Sequence, residues 1–536
     1  MWDSVAAGEA AERLVVLMSD EELLAQTFML GWTGAEPSPE ILQWIQKRAI
    51  GGIKVFGWNA SDTTKLSQTI RQLQHSAADS SLGIPLLVAT DQEGGTVRHV
   101  RGETSHPPSN MAIGASGRPI DAYWSGYYIG RELSLLGINM NFAPALDLYG
   151  SRESALIGTR SFGNDPALAG ILGAAFARGQ RDAGIIATVK HFPGHGGTPL
   201  DSHGTLPYID SSFDTLWNRD LLPFRLAVKE RIPAIMSGHL AFPATAGGRA
   251  PASLSPWFLS EVLRDRMGFQ GLVITDDLFM RGALQYAQTA AQAAKAALSA
   301  GNDMILLSRT PELNDAVWTR LLSATKSDPV FRQRLKDACL RIITLKLEYL
   351  KERSPTTGDI PISSIRHPDS AAFFAGLAAR SVTIAHGRNI LPLNPDSSGA
   401  VLLAGSSSEF FVSGTRAFPR ARSYWYSLGA AAGTEAGTAQ ALAAQMRSAD
   451  TVIFCLADQR GLMLLQEVRR LLDMSRKTLI VLSVSNPVYL DKTAFADASI
   501  AVYSATSESF AAAFSAILGK IPAEGKLPFP INGAIP

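Results

Sequence analysis

One loop of the chain concentrates titratable side chains. Residues 190–207, KHFPGHGGTPLDSHGTLP, hold a lysine, three histidines and an aspartate among glycines and prolines. Asp201 and His203 are two residues apart, so the carboxylate can accept a hydrogen bond from one imidazole nitrogen while the other faces a ligand. Such an aspartate orients the ring and favours the imidazolium, which tunes the histidine as a proton donor and acceptor. The glycines and prolines exclude a helix and predict a shaped loop that moves.

Two adjacent carboxylates, Asp276 and Asp277, end the apolar segment GLVITDDLF. Neighbouring strand residues point to opposite sides, so only one of the two can face the axis of a barrel. A single aspartate at a strand end is more often a helix N-cap than a catalyst. The acidic pair on an otherwise apolar strand nevertheless favours function, and we predict that one of these carboxylates is catalytic.

A third motif, ATDQEGGTVRH, places Asp91 at a predicted strand end before a pair of glycines. A carboxylate accepts two hydrogen bonds at once, which suits it to vicinal hydroxyl groups. A tight, acid-rich turn explains the same residues, and this motif alone does not decide between the two interpretations.

The histidines of the loop also raise the question of a metal. Zinc sites use three or four ligands, and barrel metallohydrolases commonly supply a His-x-His motif from an early strand end, which this sequence lacks. Lys190, beside His191, would add a positive charge next to a dication. We therefore expect no metal site and no organic cofactor, with a metal-dependent barrel hydrolase as a minority alternative.

The elements that must position these residues are eight short β-rich segments. Sequences with apolar residues at helical spacing separate them, and this alternation predicts a (β/α)8 TIM-like barrel over residues 1–352, the catalytic domain. The segments are 26–32, 51–57, 84–91, 138–147, 185–191, 233–240, 270–277 and 303–309.

Nearly every one of these segments ends in polar or ionisable residues. The carboxyl ends of barrel strands meet on one face, where barrel enzymes build their sites. Strand ends that lead into solvated loops are often polar, which explains one or two of these cases. Seven polar ends that converge on one face indicate a site. They are Trp58-Asn59, Asp91, Asp147, Lys190-His191, His239, Asp276-Asp277 and Ser308-Arg309.

The composition changes after the barrel. A segment rich in Pro, Ser and Thr predicts a linker over 353–372. Near-continuous apolar strands separated by alanine-rich helical segments then predict a buried parallel sheet, in an α/β/α sandwich domain over 373–536. This domain shows no comparable cluster of ionisable strand ends, so we assign it no chemistry of its own.

Bulk properties exclude several classes of protein. The 49 Lys+Arg against 48 Asp+Glu give a net charge of +1 without charged blocks, so we expect no nucleic-acid partner. Cys339 and Cys455 lack any CxxC spacing and are predicted to be buried thiols. No secretory signal or membrane-spanning run is evident, so we expect a soluble, cytoplasmic protein, whose oligomeric state the sequence does not determine.

Several motifs, taken in order, resemble those of a known family. DQEGG, NFAPALD, GTRSFG, KHFPGHG followed by DSH, and ITDDL are similar in order and spacing to bacterial family 3 glycoside hydrolases that act as β-N-acetylglucosaminidases. The resemblance spans the first domain, and the pairing of KHFPGHG with DSH is specific to this branch. RSVTIAHGRNILPL and GKLPF resemble the second domain of the family's two-domain members.

The resemblance implies a role for each matching residue. Asp276 would be the nucleophile of a retaining mechanism with a covalent glycosyl-enzyme, and His203, paired with Asp201, the general acid/base. The implied sugar-binding residues are Asp91, Arg160, Lys190 and His191.

One position departs from the family's pattern. His99 stands where family members usually carry an arginine, with Arg98 one place earlier and Arg101 two places later. Either a sugar contact is lost or a neighbour supplies it, and we therefore add Arg98 and His99 to the predicted substrate-binding residues. The subsite is then expected to tolerate a different hydroxyl or a substituted sugar.

The predicted activity is removal of non-reducing terminal β-linked N-acetylglucosamine from muropeptide fragments, as in peptidoglycan recycling, or from chitooligosaccharides. A family 3 β-glucosidase or β-xylosidase is the nearest alternative. Cleavage by phosphate instead of water is a second, because a neutral histidine does not repel an anion as a carboxylate would. A non-catalytic sugar-binding protein is the alternative from another class, although it would need neither a nucleophile nor a proton shuttle.

Overall fold

Eight parallel strands close into a barrel, as the sequence predicts. The computed structural model describes residues 6–150, 156–198, 200–350, 364–427 and 435–531. Each strand pairs with its neighbours in chain order, and β1 closes the barrel against β8. The barrel strands are β1 (Phe28–Gly31), β2 (Gly52–Lys54), β3 (Leu87–Thr90), β4 (Met140–Asn141), β5 (Ile186–Phe192), β6 (Ala234–Ser237), β7 (Leu272–Asp277) and β8 (Met304–Leu307).

Helices surround this barrel and connect its strands. Their apolar faces pack on the strands in one large core, because strands covered on both sides need continuous apolar sequence. The α-helices in this part of the chain are Ala7–Leu17, Asp20–Gln26, Pro39–Gln43, Thr63–Ala78, Asn110–Ser116, Pro119–Leu135, Pro166–Asp182, Phe213–Asn218, Leu222–Lys229, Arg281–Ala287, Ala290–Ala300, Ala316–Ser327 and Pro329–Leu350. Two π-helical segments, Trp44–Arg48 and Trp257–Arg266, complete the layer.

A six-stranded sheet forms the second part of the chain. Its strands are β9 (Thr383–His386), β10 (Val401–Gly405), β11 (Arg422–Trp425), β12 (Thr451–Leu456), β13 (Thr478–Ser483) and β14 (Ala498–Ala501), in the order β9-β14-β13-β12-β10-β11. Separate apolar cores lie on its two faces. The helices are Pro368–Ser381, Ser408–Ala417, Glu435–Arg447, Gln459–Leu471 and Ser507–Ile517.

The sheet differs from the prediction in two respects. β9 runs antiparallel to β14, so the sheet is mixed and not purely parallel. β11 was not predicted, because an edge strand contacts the core weakly and carries no apolar run; Arg422, Ser423 and Trp425 are exposed. Residues 351–363, most of the predicted linker, lie outside the described residues, so the domain boundaries stay a prediction.

The second domain packs against loops at the carboxyl-terminal face of the barrel. The Ser109 hydroxyl donates to the Tyr503 carbonyl at 2.9 Å. The Tyr149 ring stacks on Phe529 with ring centroids 4.1 Å apart, and Asn486 donates to the Tyr149 hydroxyl at 2.7 Å. Barrel residues Met111, Ala112, Ala115 and Tyr149 belong to the same apolar core as one face of the sheet. The segments that follow β3 and β4 are therefore packed against the second domain.

Among the described helices, none has the length and apolarity that crossing a bilayer requires. Cys339 and Cys455 are buried and unpaired, and burial raises the pKa of both thiols, as expected for structural cysteines.

One buried lysine predicts a pH-dependent stability. Lys346 is buried and donates to Gln26 Oε1 at 2.9 Å, and burial lowers the pKa of its ammonium group from 10.5 to about 7. The unfolded chain keeps the ordinary pKa, so between pH 10.5 and 7 Lys346 is charged when unfolded and neutral when folded. The free-energy penalty that Lys346 places on folding therefore rises as pH falls from 10.5 towards 7 and is constant below that. Lys346→Met is therefore expected to raise the Tm, by several degrees at pH 7 and by less at pH 10.

Thermal unfolding of wild type and Lys346→Met at both pH values measures this difference. Lys326→Met, which removes an exposed lysine, is the matched control. An equal gain at the two pH values, or the same gain from the control, would contradict the assignment.

Candidate active site

Asp276 lies at the carboxyl end of β7, where the buried residues of the strand give way to partly exposed ones. Its Oδ1 accepts a hydrogen bond from the Asp277 N–H at 2.8 Å. Burial alone would raise the pKa of this carboxyl group, but attraction to His191 and His239 and the backbone hydrogen bond hold it below the ordinary value. The group is therefore an anion near neutral pH, which a nucleophilic carboxylate needs to be.

Asp277 turns away and holds the adjacent backbone. Its Oδ1 accepts from the Phe279 N–H at 3.1 Å and from the Ser308 N–H, just after β8, at 3.0 Å. Burial raises the pKa of this group, in contrast to that of its neighbour. The alternation of a strand thus separates the two carboxylates, one towards the imidazoles of the barrel mouth and one towards the turn.

Asp91, just after β3, is held by two buried lysines. Lys54, the last residue of β2, lies with its Nζ 2.6 Å from Oδ2, and Lys190 of β5 binds Oδ1. Burial opposes the charge, but the two ammonium groups hold the pKa of Asp91 well below its usual range. The carboxylate is fixed in place and stays charged, and it keeps lone pairs for a ligand's hydroxyl groups.

Glu93 connects the same lysine to Arg160. The Arg160 guanidinium makes a bidentate pair with Glu93, at 2.9 and 2.8 Å, and Lys190 lies 2.6 Å from Oε1 of the same carboxylate. Arg160 also approaches His191 Nε2 at 3.4 Å. Four of the residues that the resemblance implies, Asp91, Arg160, Lys190 and His191, therefore lie in one connected cluster.

A buried carboxylate also fixes the orientation of His191. Nδ1 of the ring donates to Asp147 Oδ2 at 2.6 Å, which leaves Nε2 towards Arg160 and the site. The other oxygen of Asp147 accepts the His195 N–H at 2.6 Å. Burial opposes its charge, but His191 and these hydrogen bonds hold the pKa of Asp147 far below its usual range. Asp147 thus sets both the tautomer of His191 and the start of the loop.

Asp201 and His203 form the predicted pair on the loop after β5. His203 Nδ1 donates to Asp201 Oδ1 at 2.7 Å, and the two side chains are 67% and 48% exposed. The loop is anchored next to β7, because the Gly282 N–H donates to the Ser202 carbonyl at 3.0 Å and the Leu206 N–H to Gln285 Oε1 at 2.6 Å. The pair therefore borders the helix Arg281–Ala287, which follows Asp276, while staying open to solvent.

The two residues added because of the departure lie in different places. His99 joins the cluster, with Nδ1 3.3 Å from Lys54 Nζ and 3.9 Å from Asp91 Oδ2, and burial together with Lys54 lowers its pKa to about 4. Arg98 does not join it; its guanidinium donates to the Ser105 carbonyl at 2.8 Å and faces the second domain. The adjacent positions therefore contact different surroundings.

Sequence reasoning missed three members of the cluster: Lys54, Glu93 and Asp147. A signal existed for each of them. Lys54 interrupts a buried apolar strand, GGIKVFG, and a buried charge without a partner is costly, so it required a carboxylate nearby. Glu93 stands two residues after Asp91, and Asp147 is one of the polar strand ends.

Within the described part of the chain, no group of three or more His, Cys, Asp and Glu side chains has an arrangement that could hold a metal ion. Three of the histidines are instead tied to other groups. His191 and His203 donate to carboxylates, and His239 lies 2.7 Å from the Ser253 hydroxyl and 3.0 Å from the Asp277 carbonyl. The charges of the site are mostly satisfied by ion pairs with lysine and arginine.

A comparison with protein-family models matches residues 20–345 to the glycosyl hydrolase family 3 N-terminal domain. Among similar proteins, β-hexosaminidase of Methylococcus capsulatus is 35% identical over 316 residues, which are 58% of this chain and 91% of that protein. β-Hexosaminidase A of Pseudoalteromonas piscicida is 30% identical over 395 residues, 70% of this chain and 66% of that one.

Similar solved structures extend over both domains. A family 3 β-N-acetylglucosaminidase from Paenibacillus sp. str. FPU-7 has a TM-score of 0.88 and 28% identity, covering 97% of this chain and 100% of that one. A fungal multi-domain family 3 β-N-acetylglucosaminidase has the same TM-score with 27% identity, covering 97% of this chain and 61% of its own. The chain therefore belongs to glycosyl hydrolase family 3 and is a glycosidase.

Proposed function

We propose that the protein is a retaining, exo-acting β-N-acetylglucosaminidase. The observation that carries this proposal is the placement of a charged carboxylate, Asp276, beside the loop that presents His203 and Asp201. Retention needs a nucleophile on one side of the scissile bond and a proton donor near the leaving oxygen. The names of the similar proteins support N-acetylglucosamine as the terminal sugar.

In this mechanism Asp276 attacks the anomeric carbon while His203 gives a proton to the leaving oxygen. The covalent glycosyl-enzyme is then hydrolysed when His203 takes a proton from water. Asp201 holds the ring through Nδ1, so that Nε2 carries the proton that moves. No cofactor is required by these steps.

The cluster around Asp91 binds the sugar in the same proposal. Asp91 accepts hydrogen bonds from adjacent hydroxyls, Lys190 and Arg160 donate to others, and His191 offers Nε2, the ring nitrogen that Asp147 does not bind. Because Lys190 and Arg160 are already held by Glu93, their donors are oriented before the sugar arrives. Preorganised groups of this kind favour binding since little ordering remains to be done.

Release of p-nitrophenol from the β-N-acetylglucosaminide, the β-glucoside and the β-xyloside, each with and without inorganic phosphate, tests the proposal. We expect hydrolysis of the acetamido sugar at least about 100-fold faster in kcat/KM than of the others, with free N-acetylglucosamine as the product. Preference for the glucoside or xyloside would contradict the substrate assignment. A phosphate-dependent yield of sugar 1-phosphate would show that phosphate is the acceptor.

Lys54 provides a further test of the Asp91 assignment. Lys54→Met removes one of the two cations on Asp91, so the pKa of that carboxyl should rise. We expect kcat/KM to fall about tenfold at neutral pH, and its acid limb to move to higher pH because Asp91 is protonated earlier as pH falls. A pH profile of kcat/KM measures both effects.

Lys65→Met is the matched control, because Lys65 is half exposed and forms a surface ion pair with Glu36. Thermal unfolding of both variants shows whether they are folded at the assay temperature. A folded Lys54→Met enzyme with a wild-type pH profile would contradict the role of Asp91 in binding substrate.

A further inference from the structure

A cleft of about 320 Å³ opens between the barrel and the second domain. Arg98, Arg101 and His106 line it from the barrel, in the segment that follows Asp91. Its other wall comes from the second domain, where Ser485 and Ala505 belong to loops that follow β13 and β14. None of these residues takes part in the mechanism proposed above.

The wall from the second domain is a usual place for a ligand. Ala457, Ser485 and Ala505 follow three neighbouring parallel strands, β12, β13 and β14. In open α/β sheets, ligands bind outside the carboxyl ends of the strands, where loops and helix starts converge. Here Arg98, Arg101 and His106 of the barrel lie opposite that edge of the sheet.

Among the described residues, the arginines of the cleft form no ion pair with a carboxylate. Arg98 donates to the Ser105 carbonyl at 2.8 Å, and Arg101 Nε to the Arg98 carbonyl at 3.3 Å. Nearby, Arg366 donates to the Thr104 carbonyl at 2.8 Å. In the described ranges of the chain, no Asp or Glu oxygen lies within 4.0 Å of any of these three guanidinium groups. Backbone carbonyls orient the groups, and Glu132, whose charge acts on Arg98 and Arg366, lies beyond ion-pair distance of both.

The neighbouring titratable groups respond to this excess of positive charge. Burial and then the charges of Arg101 and Arg366 lower the pKa of Arg98. Burial and Arg98 likewise lower the pKa of His106, although Glu508 and Glu409 oppose the effect. Crowded cations without partners gain most from a bound anion, since it relieves their repulsion and forms charge-assisted hydrogen bonds.

We infer that this cleft is an anion-binding site in which Arg98 and Arg101 hold a carboxylate or phosphate group. Two sources of that group fit its position. Arg98 adjoins His99 and Thr159 adjoins Arg160 in sequence, so the cleft borders the sugar-binding cluster, and one source of the anion is a carboxylate on the leaving part of a bound substrate. In this form the inference rests on the proposed function. Free inorganic phosphate is the other source.

Two substrates that differ by one carboxylate separate these sources. N-Acetylglucosamine β-1,4-linked to N-acetylmuramic acid carries a lactyl carboxylate on the leaving sugar, whereas N,N′-diacetylchitobiose is neutral. The quantity to measure is kcat/KM for the muramic acid disaccharide divided by kcat/KM for the neutral one. It is determined for wild type, Arg101→Gln and Arg98→Gln/Arg101→Gln. Arg118→Gln/Arg420→Gln, which removes two exposed arginines elsewhere, is the control for net charge. In parallel, Tm is recorded with inorganic phosphate, with N-acetylmuramic acid and with sodium chloride of equal ionic strength.

We expect the ratio to fall about tenfold or more in the double variant, and less in Arg101→Gln. That result assigns the anion to the leaving sugar. An unchanged ratio, with a phosphate-specific rise in Tm that the double variant loses, assigns the site to a free anion. An unchanged ratio without any phosphate-specific rise in Tm overturns the inference. A general folding defect would lower both rates together and leave the ratio intact.

The two proposals fail in different ways. If wild type cleaves neither disaccharide, the proposed function fails. The Tm shifts with phosphate and with N-acetylmuramic acid still decide whether Arg98 and Arg101 bind anions, because those measurements need no turnover. A different outcome is that wild type cleaves both disaccharides at equal rates, while the double variant alters neither the ratio nor the Tm shifts. That result contradicts only the anion site and leaves the proposed function intact.

Discussion

Asp276→Asn is expected to lower kcat with an aryl N-acetylglucosaminide by about 10⁴-fold or more, since the amide cannot form the glycosyl-enzyme. The environment of Asp276 supports this expectation. His191, His239 and the Asp277 N–H stabilise a negative charge there, as a nucleophilic carboxylate requires. Steady-state kinetics with the p-nitrophenyl substrate measures the loss.

Asp277→Asn is an unusually close control, because it makes the same chemical change one residue away. Asp277 accepts two backbone N–H groups, and an asparagine oxygen accepts them as well. We expect it to retain activity within about tenfold of wild type. A slow fluorinated glycosyl donor, followed by peptide mass analysis, would locate the covalent adduct. A labelled residue other than Asp276, or a larger loss in Asp277→Asn, would refute the nucleophile assignment.

The second large effect is expected for His203→Ala, and it depends on the leaving group. For a sugar leaving group, which needs a proton, kcat should fall by about 10²- to 10⁴-fold. For p-nitrophenol, which departs as an anion, formation of the glycosyl-enzyme should be nearly normal and its hydrolysis slow. A burst of p-nitrophenol, and acceleration by azide with a β-glycosyl azide as product, are the corresponding signatures.

Asp201→Asn tests how the histidine is held. Asp201 bonds to both the Nδ1 and the backbone N–H of His203, so the variant keeps the loop but weakens the orientation of the ring. A smaller loss, about tenfold, is expected with the same dependence on the leaving group. Equal losses for aryl and sugar leaving groups in both variants would mean that the proton donor lies elsewhere.

Much of the fold could be predicted because buried strands have a strong signal. All eight barrel strands overlap the predicted segments, since a strand covered by helices must be apolar throughout. β11 and the antiparallel direction of β9 were not predictable in this way. β11 is exposed at the edge, and strand direction depends on connections across the sheet that local sequence does not encode.

The site could be predicted where the interacting residues are close in sequence, because local backbone geometry then fixes their relative positions. The pairing of Asp201 with His203 follows from a two-residue spacing, and the opposite directions of Asp276 and Asp277 follow from strand alternation. Partners distant in sequence were not. Glu93 and Lys54 meet Lys190 and Asp91 only because β2, β3 and β5 end on the same face of the barrel. Residue type alone likewise did not show that Arg98 faces the second domain.

The apolar contact between the barrel and the second domain limits how this enzyme can be divided. Met111, Ala112 and Tyr149 are barrel residues, yet they are buried in the core of the sheet domain against residues such as Phe529. Truncation after residue 350 would expose this surface to water and favour aggregation. The two domains are therefore not independent units, although the sequence predicts a linker between them. Exchanging the second domain between relatives would require matching substitutions at these barrel positions.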